Sequence, residues 1–198
     1  MTLPLQPHEV EQLGREGYFV RPNWLGPLVP EAARVAAQAL PGFQPAGVGR
    51  GQDHRWQREV RGDELRWLSR ASAPQALEPV LQAFDQIKDE LNLEAYLGLD
   101  RLELQLSRYL RVGARYARHR DSFQGRSGRR VTCLYYLNPG WVPSHGGCLR
   151  LHVRPVPVDI PPRLGCLVVF LSERVEHEVL QSFAARWTLT AWWSGGAL

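Results

Sequence analysis

The sequence predicts an α+β fold in which N-terminal helices support a C-terminal double-stranded β-helix of the jelly-roll type. Two patterns support this prediction. Before about residue 100 apolar residues recur at helical spacings, and after it short runs of branched and aromatic residues are separated by Gly, Pro, Asn and Ser. The length of 198 residues suits a single domain, with residues 1–98 as the helical support layer and residues 99–198 as the jelly-roll core.

The first half of the chain predicts two short helices and one longer helix. Residues 7–16 predict a helix ending at Gly17, residues 18–25 a strand or extended segment, and residues 30–40 a second helix. Residues 74–94 give the clearest helical pattern, since six apolar residues recur there at spacings of three and four: Leu77, Val80, Leu81, Phe84, Ile87 and Leu91. We interpret these six residues as a stripe that packs into the core.

The second half predicts six strands, each short, apolar and bounded by turn residues. They are residues 102–109, 130–137, 147–152, 164–171, 177–180 and 186–193. Short strands at such regular spacing are typical of a sandwich or a barrel, which favours a jelly roll.

Composition argues against several classes of protein. The net charge of +4 comes almost wholly from scattered arginines with acidic residues between them, so we expect no nucleic-acid interface. We find neither an export signal nor an apolar run of membrane-spanning length, so we expect no membrane association. Cys133, Cys148 and Cys166 lie in apolar runs without metal-ligand spacing, which favours reduced thiols in a cytoplasmic protein.

A glycine-rich polar stretch, residues 47–53, lies between the predicted helices. It lacks the Gly-Lys-Ser/Thr ending of a phosphate-binding loop and does not follow a convincing strand. We therefore interpret it as a mobile surface loop and not as a nucleotide site.

His119 and Asp121 stand two residues apart, a spacing that places both side chains on one side of a strand end. His177 opens a later predicted strand and supplies a second imidazole. Two histidines and one carboxylate form the facial triad of non-haem iron(II) oxygenases, which leaves coordination positions open. A kinase catalytic loop also contains His-Arg-Asp, but the chain has no Asp-Phe-Gly and is too short for a kinase. The pattern indicates an iron site.

Arg186 begins an otherwise apolar strand, and a buried arginine there needs a partner. Alternation places Arg186, Thr188, Thr190 and Trp192 on one face. A dicarboxylate would supply the partner, because a guanidinium binds a carboxylate in a two-pronged fork. Tyr136, on a neighbouring strand, has a hydroxyl that could reach the same carboxylate. The alternative is an edge-strand arginine that points to solvent.

Several segments together resemble the prolyl hydroxylase domain family, which includes the hypoxia-sensing enzymes and their bacterial relatives. The matching segments are YARHRD at 116–121, VTCLYYLN at 131–138, HGGCLR at 145–150, VVFLS at 168–172, HEV at 177–179, RWTLT at 186–190 and VRGDELRW at 60–67. The resemblance covers most of residues 45–195 and is stronger for the compact bacterial branch.

The resemblance implies a prolyl 4-hydroxylase-type dioxygenase that uses iron(II), 2-oxoglutarate and dioxygen, with ascorbate as a possible reductant and a protein bearing the target proline as substrate. It implies metal ligands, cosubstrate contacts and substrate contacts. The ligands would be His119, Asp121 and His177; the cosubstrate contacts Arg186, Tyr136, Tyr109, Leu134, Leu149, Thr190 and Trp192; the substrate-side residues Tyr116, Arg61, Asp63 and Arg129. In addition, the loop at about residues 47–60 would close over a bound peptide, and an Asp63–Arg129 pair would fix its base.

Three alternative functions compete with this one. A nucleic-acid demethylase of the same superfamily is disfavoured, because Trp192 stands where those enzymes carry a second arginine. Hydroxylation of a free amino acid or another small molecule remains open, as does a non-catalytic metal-binding sensor or docking module. The sequence leaves the oligomeric state unknown and is compatible with a monomer.

Overall fold

The structure is a computed structural model, and it describes residues 4–47, 57, 59–122 and 128–195. These residues form three α-helices and eleven strands. The helices are α1 (Pro7–Glu16), α2 (Leu28–Ala39) and α3 (Glu78–Ala95). The strands are β1 (Tyr18–Arg21), β2 (Gln44–Pro45), β3 (Glu64–Leu68), β4 (Leu99–Tyr109), β5 (Ala114–His119), β6 (Arg129–Tyr136), β7 (Leu149–Leu151), β8 (Val158–Ile160), β9 (Leu167–Leu171), β10 (His177–Ser182) and β11 (Arg186–Gly195).

The three predicted helices are present, and local chemistry accounts for their ends. Helix α1 matches the predicted range, because Gln6 and Glu9 form a capping box and Gly17 adopts a left-handed conformation with φ of 90°. Helix α2 begins two residues before Pro30, which is tolerated within the first turn. Helix α3 begins at Glu78, after a 3₁₀ turn over Gln75–Leu77. The apolar pattern located each helix to within a few residues.

The strands form two sheets that face each other, as the predicted jelly roll requires. The major sheet has seven strands in the order β1-β9-β6-β11-β4-β3-β2, and the minor sheet has four in the order β5-β10-β7-β8. The first 98 residues thus add three strands to the major sheet as well as forming the helical layer. Strands β2, β3, β5 and β8 were not among the predicted strands. In β5 and β8, charged residues interrupt the apolar pattern.

Two apolar cores cover the two faces of the major sheet. The helical core lies between the helices and the sheet, and the inner core lies between the two sheets. On β6, Cys133 and Tyr135 enter the helical core, while Leu134 and Tyr136 enter the inner core. This alternation places every second residue of β4, β6 and β11 in the space where the candidate site lies.

The cysteines agree with one compositional expectation. Cys133, Cys148 and Cys166 are all free thiols. None of the helices in the described ranges is long and apolar enough to span a membrane.

The stability of the helical layer can be tested within helix α3. Leu91 is fully buried in the helical core, whereas the side chain of Leu93 is 70% exposed. We expect Leu91→Ala to lower the free energy of unfolding by about 2–5 kcal/mol, because it removes buried methyl groups and leaves a cavity. Leu93→Ala is the matched control and should change it by no more than about 0.5 kcal/mol. Urea denaturation measures both; equal losses would contradict this packing.

Candidate metal centre

Three potential metal ligands converge between the two sheets. His119 is the last residue of β5, and His177 is the first residue of β10, directly opposite His119 in the antiparallel pairing. The Oδ1 atom of Asp121 lies 3.6 Å from Nε2 of His119 and 3.8 Å from Nε2 of His177. One ligand atom from each residue lies within 4.8 Å of the other two. Within the described ranges, this is the only such group of three His, Cys, Asp or Glu residues.

Hydrogen bonds orient each of the three side chains. Nδ1 of His119 is 2.8 Å from the Ala117 carbonyl oxygen, and Nδ1 of His177 is 3.3 Å from that of Val175. With Nδ1 as the donor, each imidazole presents the lone pair of Nε2 towards Asp121. Thr132 donates its hydroxyl to Oδ2 of Asp121 at 2.8 Å, which leaves Oδ1 to face the histidines. The geometry therefore sets both the tautomers and the carboxylate orientation.

The protonation states suit a divalent cation. Burial lowers the pKa of His177 to about 4, so its imidazole is neutral at pH 7. Burial of Asp121 by itself favours the protonated acid, but His177 and His119 outweigh it and hold the pKa of the carboxyl well below its usual value. Two neutral imidazoles and one carboxylate are the donor set that iron(II) takes in a facial triad, with the remaining positions open.

Arg186 lies between the two sheets and not at a solvent-facing edge. Its side chain is buried, its Nε donates to the Gly147 carbonyl oxygen at 2.8 Å, and its Nη1 donates to the Thr188 hydroxyl at 2.7 Å. The guanidinium carbon lies 5.0 Å from the Tyr109 ring centroid and 5.1 Å from that of Tyr136. None of the ion pairs among the described residues includes Arg186, so a buried cation faces the cavity without a carboxylate partner.

A single cavity joins the three ligands to Arg186. Besides those four residues, it is lined by Arg61, Gln105, Ser107, Tyr116, Leu134, Leu149, Val179, Thr188, Thr190 and Trp192. The hydroxyl of Tyr136 and the indole N–H of Trp192 are buried and have no hydrogen-bond partner in the structure. Burial raises the pKa of Tyr136, so its hydroxyl keeps the proton that it can donate.

Comparison with known proteins identifies the family. Residues 104–194 match the model of the 2OG-Fe(II) oxygenase superfamily. The chain is 30% identical to Prolyl hydroxylase EGLN3 of Mus musculus over 190 residues, which cover 89% of this chain and 78% of the mouse protein. The chain belongs to the 2OG-Fe(II) oxygenase superfamily, in its prolyl hydroxylase branch. It is a 2-oxoglutarate-dependent dioxygenase, and it uses iron(II), 2-oxoglutarate and dioxygen.

Solved structures agree with this assignment. A Pseudomonas putida prolyl-4-hydroxylase superposes with a TM-score of 0.85 and 32% identity, covering 96% of this chain and 98% of that one. A prolyl hydroxylase from Trichoplax adhaerens, solved in complex with a hypoxia inducible factor oxygen degradation domain peptide fragment, gives a TM-score of 0.84 and 28% identity. That match covers 94% of this chain and 87% of the Trichoplax chain. The predicted jelly-roll core is thereby confirmed.

Two residues of the dioxygenase near this cavity pair differently from the prediction. Asp63 forms a two-pronged ion pair with Arg61, with Nε–Oδ1 at 2.8 Å and Nη2–Oδ2 at 3.1 Å. Arg129 pairs instead with Glu103 at 2.6 Å and lies 4.0 Å over the ring of Trp192. The expected Asp63–Arg129 pair is therefore wrong, because Arg61 and Glu103 each supply a nearer partner.

The predicted substrate loop, residues 47–60, lies largely outside the described residues, but the segment after it is held against β5. Val60 accepts a hydrogen bond from the backbone N–H of Ala117 at 2.7 Å, and the Gly62 N–H donates to the Arg115 carbonyl oxygen at 2.8 Å. Arg61 lies 4.4 Å over the ring of Tyr116, and that ring stacks on the His119 imidazole with centroids 3.7 Å apart. The base of the loop thus contacts a potential metal ligand through one aromatic ring.

Sequence reasoning missed several polar residues of the site. Gln105 and Ser107 share the inward face of β4 with Tyr109, and strand alternation alone could have found them. Asn138 follows β6 and is buried. Its amide donates to the carbonyl oxygens of Pro162 and Trp187, and its Oδ1 accepts the Trp187 N–H at 2.6 Å. Asn138 therefore fixes the backbone beside Arg186, a contact that no local pattern indicates.

The role of the three converging side chains can be tested by metal binding alone. We expect His177→Ala to bind manganese(II), as a stand-in for iron(II), far more weakly than the unmodified protein. Thr132→Val, which removes the hydrogen bond to Asp121, should cost about 10–100-fold in metal affinity. Anaerobic calorimetry measures both affinities.

The control variant is His152→Ala, which removes an imidazole on the same sheet that pairs with Glu178 and not with the cluster. Its metal affinity should be unchanged. Unchanged affinity in His177→Ala would exclude that residue as a ligand.

Proposed function

We propose that this dioxygenase hydroxylates a prolyl residue in a protein substrate and releases succinate and CO₂. The observation that carries the proposal is the shared cavity, in which a facial-triad donor set and an unpaired buried arginine lie together. The relatives support the choice of substrate, since the Pseudomonas, Trichoplax and mouse proteins are all named prolyl hydroxylases and the Trichoplax enzyme was solved with a peptide.

In this proposal His119, Asp121 and His177 hold the iron. When bound, iron(II) couples the decarboxylation of 2-oxoglutarate to the insertion of one oxygen atom into a C–H bond of the substrate. The chain itself supplies orientation, because Thr132 and two backbone carbonyls fix the ligand side chains between the two sheets.

Arg186 and Tyr136 would bind the distal carboxylate of 2-oxoglutarate. The guanidinium lacks an anionic partner, the Tyr136 hydroxyl lacks a hydrogen-bond partner, and the guanidinium carbon lies 5.1 Å from the Tyr136 ring centroid. A carboxylate would satisfy both groups at once. Tyr109, Leu134, Leu149, Thr190 and Trp192 would form the walls around the rest of the molecule.

The protein substrate would approach past Tyr116 and Arg61. Both line the cavity beside His119, and Asp63 fixes the Arg61 guanidinium. Arg129 would contribute at the edge of the same opening, where it covers the ring of Trp192. The loop at about residues 47–60 would cover the bound peptide, since its base is attached to β5 beside Tyr116.

Three further features belong to the same proposal. Ascorbate would return oxidised iron to the iron(II) state. The three free thiols suit a reducing compartment, which favours the cytoplasm. The proposal requires no nucleic-acid or membrane partner and is compatible with a monomer.

The cosubstrate assignment predicts the effect of removing the guanidinium. Arg186→Ala should weaken 2-oxoglutarate binding by about 2–5 kcal/mol, roughly 30- to 4,000-fold, because it removes a buried charged partner. Arg186→Lys should recover only part of this, since an ammonium cannot form the fork. Calorimetric titration of the manganese-loaded protein with 2-oxoglutarate measures the affinity without needing the protein substrate.

Arg150→Ala is the matched control, because Arg150 lies on β7 of the minor sheet and pairs with Asp159 at 2.7 Å on the partly exposed face. It should bind 2-oxoglutarate normally. Equal affinities for the Arg186→Ala and unmodified proteins would remove Arg186 from the cosubstrate site.

The proposed reaction predicts a modified protein in the cell of origin. Purified enzyme is incubated with iron(II), 2-oxoglutarate, ascorbate and lysate from that cell, and His177→Ala protein serves as the inactive control. Tandem mass spectrometry should find peptides heavier by one oxygen atom at a proline only with the active enzyme. Oxygen incorporated into free amino acids or small metabolites, with none in protein, would instead establish small-molecule hydroxylation.

A further inference from the structure

A second cavity lies at the opposite end of the two sheets from His119. Its volume is about 260 Å³, compared with about 50 Å³ for the cavity over the metal ligands. We call this end of the molecule the distal end; β4 finishes there at Tyr109 and β5 starts there at Ala114. The cavity opens between the turns that connect the strands, so a ligand can enter it without passing the iron site.

The walls of the distal cavity suit an apolar group. Its lining includes Pro139, Trp141, Pro162, Ala184, Ala185 and Trp187. Two of the polar groups beside them are already satisfied: the Asn138 amide bonds to Trp187 and Pro162, and the Trp141 indole donates to Gly146 at 2.8 Å. Arg186 also contributes to the lining, and its guanidinium donates to Gly147 and Thr188. The volume is below the roughly 300–1,000 Å³ of pockets that enclose whole small ligands. It fits one or two side chains better.

Exposed apolar side chains surround the opening on three turns. Val112 is 72% exposed, Phe183 52% and Val142 44%. The turns are joined to one another, because the Gly113 N–H donates to Ser182 at 2.7 Å and the Phe183 N–H donates to His145 at 2.8 Å. The cavity and these turns therefore form one continuous area, which we call the distal surface.

The charge of the distal surface is positive. The connecting segments that build it, residues 110–113, 137–147, 161–166 and 182–185, contain Arg111, Arg163 and one histidine but no aspartate or glutamate. Arg111 and Arg163 are exposed, and neither forms an ion pair with a residue in the described ranges. An acidic partner would meet favourable potential here and a basic partner would be repelled.

We propose that the distal surface docks an acidic segment of another protein, which inserts one aromatic or aliphatic side chain into the cavity. A buried anchor side chain within a polar rim is the usual source of affinity in protein interfaces. The acidic residues of the segment pair with Arg111 and Arg163. Because His119 and His177 lie at the other end of their strands, the partner and the substrate bind at the same time, and the interaction does not depend on the proposed reaction.

The test uses short random peptides displayed on phage, selected against the full chain loaded with manganese(II) and 2-oxoglutarate. Selected pools are then counter-selected against Ala185→Trp, in which the new side chain fills the cavity mouth. We expect the surviving peptides to share a large apolar residue flanked by aspartate or glutamate. Failure of the selection to yield any cavity-dependent peptide would overturn the proposal, as would peptides that are basic or lack an apolar anchor.

The best peptide is then measured by fluorescence anisotropy. Replacing its anchor residue with alanine should weaken binding by about 30-fold or more. The protein variant Arg111→Glu/Arg163→Glu should weaken binding several-fold, with a larger effect at low salt. Arg154→Glu reverses an exposed charge in the β7–β8 turn, at the other end of the sheets, and is the control that should bind normally.

Two results would assign the surface to a different occupant and overturn the proposal. Displacement of the peptide by small carboxylic acids alone would indicate a metabolite site. Concentration-dependent dimerisation of the chain that Ala185→Trp abolishes would indicate a second copy of this protein.

Discussion

The pairing of β5 with β10 at His119 and His177 is the constraint on which the site depends. Both strands are short, and each contributes one imidazole. The two imidazoles lie together because His119 and His177 are directly opposite each other in the pairing. A register shift of one residue would turn a histidine to the other face of the sheet. The inner core beneath these strands, with Phe170 packed 4.6 Å from the His177 ring, opposes such a shift. Apolar packing thus holds the strand register that brings the two histidine side chains together.

Strand β11 links that site to both cores. Its residues alternate between the helical core, where Trp187 and Leu189 pack, and the cavity, where Arg186 and Thr188 lie. Because β4 and β6 flank it along nearly its whole length, β11 cannot move without disturbing two strand ladders. An arginine placed there is held rigidly, which lowers the entropy cost of binding an anion in one orientation.

The sequence predicts the parts of this molecule that local chemistry determines. Helix α1 was located to the residue because Pro7 and Gly17 mark its ends, and the inward face of β11 followed from alternation. The Asp63–Arg129 pair was wrong because ion pairing depends on which strands adjoin, and only the assembled sheet brings Glu103 beside Arg129. The hydrogen bonds of Asn138 to Pro162 and Trp187 join segments that are far apart in the chain, and so does the distal cavity. No local pattern could therefore indicate either feature.

The same polar groups that equip the site also cost stability. Arg186 is buried without a carboxylate, the Tyr136 hydroxyl and the Trp192 indole lack partners, and Asp121 is buried between two imidazoles. Each unsatisfied buried group opposes folding, so the apolar cores on both faces of the major sheet must compensate. In the proposed site, a bound cation and a dicarboxylate would satisfy these groups together and so stabilise the folded state by mass action. The unsatisfied groups of the site match a cation and a dicarboxylate in charge and hydrogen bonding. Because these groups lower the stability of the unliganded protein, their presence is a physical argument that the site binds such ligands.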